Sequence, residues 1–278
     1  MRGQSLQEGC IDAGFGIDAD NLSNISMFGD DACNPCSADD WFEITSAFPG
    51  SGIGIIDTTG GSAVRTLLLG GSNVTHIAGM SVPPNSLING NRFIDGNYIR
   101  DFYGGTGATD LTSYTNASKN GEDPADWNTG SSNVTGKNDI IDCYAHLRRD
   151  GPSFATNDLW LMVAFSRVSN SGSSYFDAEI YAKDIGYNYT TNSFTSAGTE
   201  EGHTAWQFDG SGNILSAGDM ILSVNLSTNS APQFQLRIWV SRNDYNTLTP
   251  TNFSFGANFD GDNNSSVYGY ADITPPNN

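Results

Sequence analysis

Two carboxylates, Asp177 and Glu179, stand two residues apart in the run Tyr175-Phe176-Asp177-Ala178-Glu179-Ile180. That spacing puts both on one face of a β-strand. Paired carboxylates on a sheet face serve glycosidic bond cleavage as acid and nucleophile, or serve a bound ligand as hydrogen-bond acceptors. Retaining hydrolysis asks for carboxyl groups about 5–5.5 Å apart. Alternate residues of a strand lie about 6.5–7 Å apart at the backbone, so only converging side chains reach that separation. Tyr175 and Tyr181 share the phase of Asp177 and Glu179 and add flat aromatic surface beside them.

Two more runs alternate in the same way. In one, Ile141, Cys143, Ala145 and Leu147 oppose Asp142, Tyr144, His146 and Arg148; in the other, Phe234, Leu236, Ile238 and Val240 oppose Gln235, Arg237, Trp239 and Ser241. The expectation is that the aliphatic sets face a core and the polar, aromatic sets face outward. Sugars present both CH patches and hydroxyls, so a face of aromatic rings and hydrogen-bonding groups suits them. The expected ligand-binding set is Tyr144, His146, Tyr175, Asp177, Glu179, Tyr181, Arg237 and Trp239. The plainer reading of Asp177 and Glu179 is a solvated face balanced by Arg148, Arg237 or Lys183 across the strands.

For metals, hard carboxylate and carbonyl oxygens in the Gly/Asn-rich loops point to calcium. The best local sequence is Asp260-Gly261-Asp262-Asn263-Asn264, with Asp260, Asp262 and Asn264 as ligands, and Asp209-Gly210-Ser211-Gly212-Asn213 comes second. Neither has the terminal bidentate Glu of an EF-hand, and an Asp/Asn turn that binds nothing is the competing reading. Asp139, Asp142 and Asp158 would form a further acidic group if their strands were neighbours. Cys33-Asn34-Pro35-Cys36 has the spacing of half a zinc site, yet a second ligand pair is lacking, and the histidines are His76, His146 and His203. With Cys10 and Cys143 these cysteines allow three disulfide connectivities, and the sequence does not choose among them. Nucleophilic catalysis has no Gly-x-Ser-x-Gly elbow to stand on.

The elements that must hold these residues read as strands. Leu159 to Phe165 and Met220 to Leu226 are more continuously apolar and are expected as central strands; Gly54 to Asp57, Arg65 to Leu69 and Arg92 to Ile99 are further candidates. Turn signals lie between them, among them Thr59-Gly60-Gly61, Asn89-Gly90-Asn91, Gly104-Gly105-Thr106-Gly107 and Asp209-Gly210-Ser211-Gly212-Asn213. The expected fold is all-β, a two-sheet antiparallel β-sandwich of jelly-roll or lectin-like kind with long Gly/Asn-rich loops. A single domain over residues 1–272 is expected, followed by the start of a Pro-rich linker at 273–278.

Composition narrows the function class. The 278 residues carry 31 acidic against 12 basic side chains, a net charge of −19, so a nucleic-acid partner meets net repulsion. No stretch approaches the roughly 20 apolar residues of a membrane span, and Met1 to Ser5 lack the apolar core of a signal peptide. Export would therefore imply a leader already removed.

Pro124-Ala125-Asp126-Trp127, Gly136-Lys137-Asn138-Asp139-Ile140-Ile141-Asp142 and Asn157-Asp158-Leu159-Trp160 resemble landmarks of a family of large Bacteroidota cell-surface proteins. Ser173 to Glu179, Gly202-His203-Thr204-Ala205-Trp206, Gly218-Asp219-Met220-Ile221, Arg237-Ile238-Trp239-Val240, Asp39-Asp40-Trp41-Phe42 and Gly269-Tyr270-Ala271 extend the resemblance over most of the chain. The family is exported by type IX secretion and is similar to gliding-motility adhesins. The resemblance implies an extracellular, cell-surface module from the N-terminal side of a longer protein, with neighbouring domains and a glycan or other surface ligand as partners. It supplies no catalytic residues. Tyr175 to Ile180 also resembles the Glu-x-Asp-x-Glu strand of laminarinase-like glycoside hydrolases, with Tyr175 where the first acid stands. A secreted polysaccharide-degrading enzyme using Asp177, Glu179 or His146 is therefore the alternative to a non-catalytic, glycan-binding or structural module.

Overall fold

A computed structural model describes residues 13, 15, 22–23, 39–43, 53–57, 76–100, 109–115, 119–169, 171–188, 190–227 and 231–275. Cys10, Cys33 and Cys36, the strand expected at Arg65 to Leu69, and the turns expected at Thr59 to Gly61 and Gly104 to Gly107 lie outside the described residues. The chain is all-β, in keeping with the sandwich class expected, and divides into two compact units. One comprises Arg2–Gly105 and Asp139–Val168; the other comprises chiefly Thr106–Asn138 and Ser169–Asn278. Each carries one five-stranded antiparallel sheet.

The first unit opens with a short parallel pair, β1 (Leu22–Ser23) and β2 (Phe42–Glu43). Its sheet follows the order β3 (His76–Gly79), β5 (Asn91–Arg100), β8 (Ile140–Arg149), β9 (Leu159–Arg167), and β4 (Leu87–Ile88) pairs with β5. The Asn-Gly signal does what its chemistry allows. Asn89 and Gly90 take φ of 49° and 88°, closing the β4–β5 hairpin as the two-residue turn that needs positive φ at both positions. The apolar run Leu159 to Phe165, expected in a sheet centre, is instead the last strand in its sheet's order, with Leu159 and Leu161 exposed.

Strand β8 alternates as expected, but with its faces reversed. Asp142, Tyr144, His146 and Arg148 are the buried set, whereas Ile141, Cys143 and Leu147 are half-buried and Ala145 is exposed. Tyr144 joins a core of Phe15, Trp41, Phe42, Ile55, Ile56, Phe93, Tyr98 and Met162. The charged members are buried with polar partners around them, although Arg148 Nη2 is left without one. Arg148 Nη1 donates to Asp39 Oδ2 at 2.8 Å and to the Ala13 carbonyl at 2.9 Å, while the guanidinium lies 4.1 Å from the Phe93 ring centre. Asp142 accepts from the Tyr98 hydroxyl at 2.7 Å and the Ser166 hydroxyl at 2.6 Å, with Arg100 Nε at 3.3 Å.

His146 is held neutral in this network. Arg148 Nε donates to its Nε2 at 2.9 Å, so Nε2 carries no proton, and Nδ1 then donates to the Asp95 carbonyl at 2.6 Å. Burial, followed by the Arg148 charge, pulls the imidazole down to about 3, which the hydrogen bond to Asp95 opposes. The unfolded ring takes up a proton below about pH 6.5, and the folded ring does not until about pH 3. The contribution is therefore fully present above pH 6.5 and is lost as pH falls toward the folded value, at roughly 1.4 kcal/mol per pH unit. Denaturant melts of wild type and His146→Gln at about pH 7 and about pH 4.5 should show the gap between them narrowing by about 2–3 kcal/mol at the lower pH.

The second unit carries β10 (Ser174–Ile180), β15 (Met220–Leu226), β16 (Gln233–Ser241), β18 (Tyr268–Thr274) and β17 (Ser254–Asp260), in that order across its sheet. Around it stand two-stranded pairs: β6 (Thr109–Tyr114) with β7 (Thr129–Asn133), β11 (Ile185–Asn188) with β12 (Ser193–Ser196), and β13 (Gln207–Phe208) with β14 (Ile214–Ser216). A six-residue helix, α1 (Arg242–Thr247), follows β16 and is capped by Ser241, whose hydroxyl accepts from the Asp244 amide. Strand β18 runs through Ile273 and Thr274, which pair with β17, so the sheet extends past the boundary expected at residue 272. Among the described residues no helix is long and apolar enough to cross a membrane.

Candidate functional site

Register places four cross-strand rows on one face of the second unit's sheet. Tyr175, Asn225 and Gln233 pair directly, then Asp177, Ser223 and Gln235, then Glu179, Ile221, Arg237 and Asp272, and finally Trp239 with Tyr270. The face grades from open to closed along the strands. Tyr175 is 74% exposed, whereas Ile221 and Trp239 are fully buried and Tyr270 nearly so. The closed end lies under the His203 segment. The His203 ring stacks on Trp239 with centroids 4.0 Å apart, its Nδ1 lies 3.2 Å from Asp219 Oδ2, and its Nε2 lies 3.1 Å from the Glu122 carbonyl. Asp219 also accepts from the amides of Ala182 and Thr204, which ties the segment to the sheet.

The charges between the two ends are tied to one another. Glu179 is paired with Lys119 and accepts from the Tyr181 hydroxyl. Arg237 Nη2 donates to Ser223 at 2.6 Å and lies 3.6 Å from Asp177. Gln235 and Asn258 donate to the two oxygens of Asp272 at 2.7 and 2.6 Å. The Lys119 ammonium lies 5.0 Å from the Trp127 ring centre and 5.1 Å from that of Tyr114. Burial lowers its pKa to about 8, with Asp177 opposing and Arg237 reinforcing the shift. Burial also pushes the Tyr181 and Tyr270 phenols well above their ordinary range.

At the open end lies a groove of about 570 Å³ lined by Tyr175, Ser223, Asn225, Gln233, Phe234 and Gln235. Phe234 belongs to the opposite side-chain phase of β16, so Tyr175 is the aromatic ring on the groove's own face. Asn225 Oδ1 and Arg237 Nε are buried without a hydrogen-bond partner. Among the described residues no carboxylate lines the groove itself, and both acids of the strand motif are committed to cations below it. Such a surface can stack a ring and exchange hydrogen bonds.

The expected binding set thus divides. Tyr175, Asp177, Glu179, Arg237 and Trp239 share the face described, and Tyr181 follows directly after β10. Tyr144 and His146 belong to the other unit's sheet and are buried, 6% and 1% exposed, so they present nothing to a ligand. Trp239 is likewise buried and works as a packing residue. The plainer reading of the acids holds for Asp177, which meets Arg237, while the partner of Glu179 is Lys119 rather than Lys183. Ser223, Asn225, Gln233 and Gln235 lie outside the expected binding set. Ser223 and Asn225 carry a signal nonetheless, alternating with Leu222, Val224 and Leu226 inside the apolar run.

The loop expected to hold calcium begins where β17 ends. Asp260 pairs with Tyr270, and Asp260, Asp262 and Asn264 are all exposed. Asn263 organises the turn: its Oδ1 accepts from the Ser265 amide at 2.9 Å, and its Nδ2 donates to Asp262 at 2.8 Å. Asp262 lines a second cleft, of about 540 Å³, with Glu122, Asp123, Asp126 and Glu201, whereas Asp260 and Asn264 do not. Close backbone approach shapes this cleft, since a Cβ on Gly121 would fall 2.5 Å from the Gly261 carbonyl carbon. Among the described residues, no group of three or more His, Cys, Asp and Glu side chains is placed to hold a metal ion.

No family model matches the chain, and no curated protein or solved structure is significantly similar to it. The resemblance to Bacteroidota surface proteins accordingly rests on the quoted motifs alone.

Proposed function

We propose that this chain is a non-catalytic module of a bacterial cell-surface adhesin that binds glycans through the open end of the second unit's sheet. The observation that carries this reading is the groove itself. A largely exposed tyrosine stands in a row with two side-chain amides, beside a second row holding a serine and a third amide. Tyrosine supplies rigid, amphipathic contact area, and amides supply donors and acceptors in fixed geometry, which is the pairing that polyhydroxy rings call for. The acidic, lightly charged composition and the motif resemblance support an extracellular, surface-attached setting reached by type IX secretion.

The test is a glycan array probed with the purified chain and with Tyr175→Ala. Wild type should bind a restricted set of glycans, and the variant should lose at least about tenfold in affinity, equivalent to about 1.4 kcal/mol. Because Tyr175 projects into solvent, the variant's stability should stay within about 0.5 kcal/mol of wild type. A blank array, or full binding by the variant, would remove this reading.

A further inference from the structure

We infer that the groove selects uncharged, hydroxyl-rich oligosaccharides and discriminates against acidic ones; this rests on the glycan-binding reading above. The inference comes from the balance of donors and acceptors on the groove's walls. The Gln235 amide nitrogen donates to Asp272, and because a carboxylate accepts only, this fixes the amide and leaves its Oε1 to accept from a ligand. Asn225 Oδ1 is a second acceptor, buried at the groove without a donor. A buried acceptor left unpaired is costly, so a ligand that brings a donor is favoured over one that does not. Ser223 accepts from Arg237, which leaves its own hydroxyl proton to donate. Gln235 Oε1 thus calls for a donor and the Ser223 hydroxyl for an acceptor, a mixture that sugar hydroxyls, which donate and accept alike, satisfy.

The charges beneath point the same way. Asp177, Glu179 and Asp272 face two cations, Lys119 and Arg237, across these rows. Both cations are already paired, Lys119 with Glu179 and Arg237 with Asp177, and Asp272 is held by two amides without a cation partner in that set. A uronate or sulfated ring laid along Tyr175, Asn225 and Gln233 meets surplus negative charge from Asp272 and a whole-chain charge of −19. Among the described residues the groove's lining holds no guanidinium or ammonium to receive it; Arg237, whose Nε is buried without a hydrogen-bond partner, lies outside that lining with its Nη2 on Ser223.

Affinity electrophoresis of the intact chain separates the outcomes. Gels should contain neutral polymers (β-glucan, xylan, galactomannan) or acidic ones (alginate, polygalacturonate, hyaluronate). At least one neutral polymer should retard the chain, by an amount that changes less than about twofold between low and high salt, because no ion pair forms across the contact. Acidic polymers should bind at least about tenfold more weakly, and Asp272→Asn should narrow that difference. Tightest retardation by an acidic polymer, weakened by salt and abolished in Tyr175→Ala, would overturn the selectivity while leaving glycan binding in place. Retardation by neither class would overturn the glycan reading beneath it.

Discussion

Replacing Arg148 with methionine should destabilise the first unit by about 3–5 kcal/mol, the cost of stranding one member of a buried ion pair. The arginine is fully buried, and its removal takes the cation from Asp39, which keeps the Ile53 amide, takes one of two donors from the Ala13 carbonyl, which keeps Asn91 Nδ2, and strips His146 Nε2 of its donor. Methionine retains an unbranched apolar stem but not the guanidinium that lies over the Phe93 and Phe15 rings, so the loss reports the polar partners and those ring contacts together. Domains are commonly stable by only about 5–15 kcal/mol, so a change of this size removes a large part of the reserve. The midpoint of denaturant unfolding should fall with little change in its slope. Adding Asp39→Leu to Arg148→Met should restore part of the loss, because the isolated charge goes with it. A loss under about 1 kcal/mol for Arg148→Met would mean that water reaches the pair and that β8 does not turn its polar face inward.

The second large effect concerns Trp239. Truncation to alanine should cost about 3–5 kcal/mol, as for large aromatic residues in packed cores. The indole is fully buried, stacks on His203, meets Tyr270 edge-on at 4.9 Å, and donates through Nε1 to the Glu200 carbonyl at 3.0 Å. Its loss opens a cavity, removes one of that carbonyl's two donors, the His203 amide being the other, and loosens the segment that covers the closed end of the face. Thermal melts should show a large drop for Trp239→Ala and almost none for Tyr175→Ala, although both residues lie on the same sheet face. Equal, small drops would place Trp239 at the surface and contradict the graded burial of that face.

Strand periodicity made much of the fold legible. Strands β5, β8, β10, β15 and β16 follow alternation or apolarity that is local in the chain, and the β4–β5 turn follows from Asn89-Gly90. What alternation does not carry is which face turns inward. For β8 that choice depends on Arg148 finding Asp39 and Ala13, which lie 109 and 135 residues away, and no local pattern encodes such partners. The acid–tyrosine face of β10 was legible in composition, since Tyr175, Asp177 and Glu179 do share it. Its division into an open and a closed end was not, because His203 and Lys119, which cover and neutralise it, come from segments remote in sequence. The groove amides on β15 and β16 went unmarked because only pairing across strands brings them into rows.

The most direct test of the central claim, that ligand meets the open end of this face, is two-dimensional NMR of the side-chain amides during titration with a neutral oligosaccharide chosen from the array. The expected result is a saturable shift of the Asn225, Gln233 and Gln235 amide signals, with the Asn263 amide beside the acidic cleft unmoved. Shifts centred on Asn263, with those three amides silent, would contradict the account and move the binding site to the cleft formed by Glu122, Asp123, Asp126, Glu201 and Asp262.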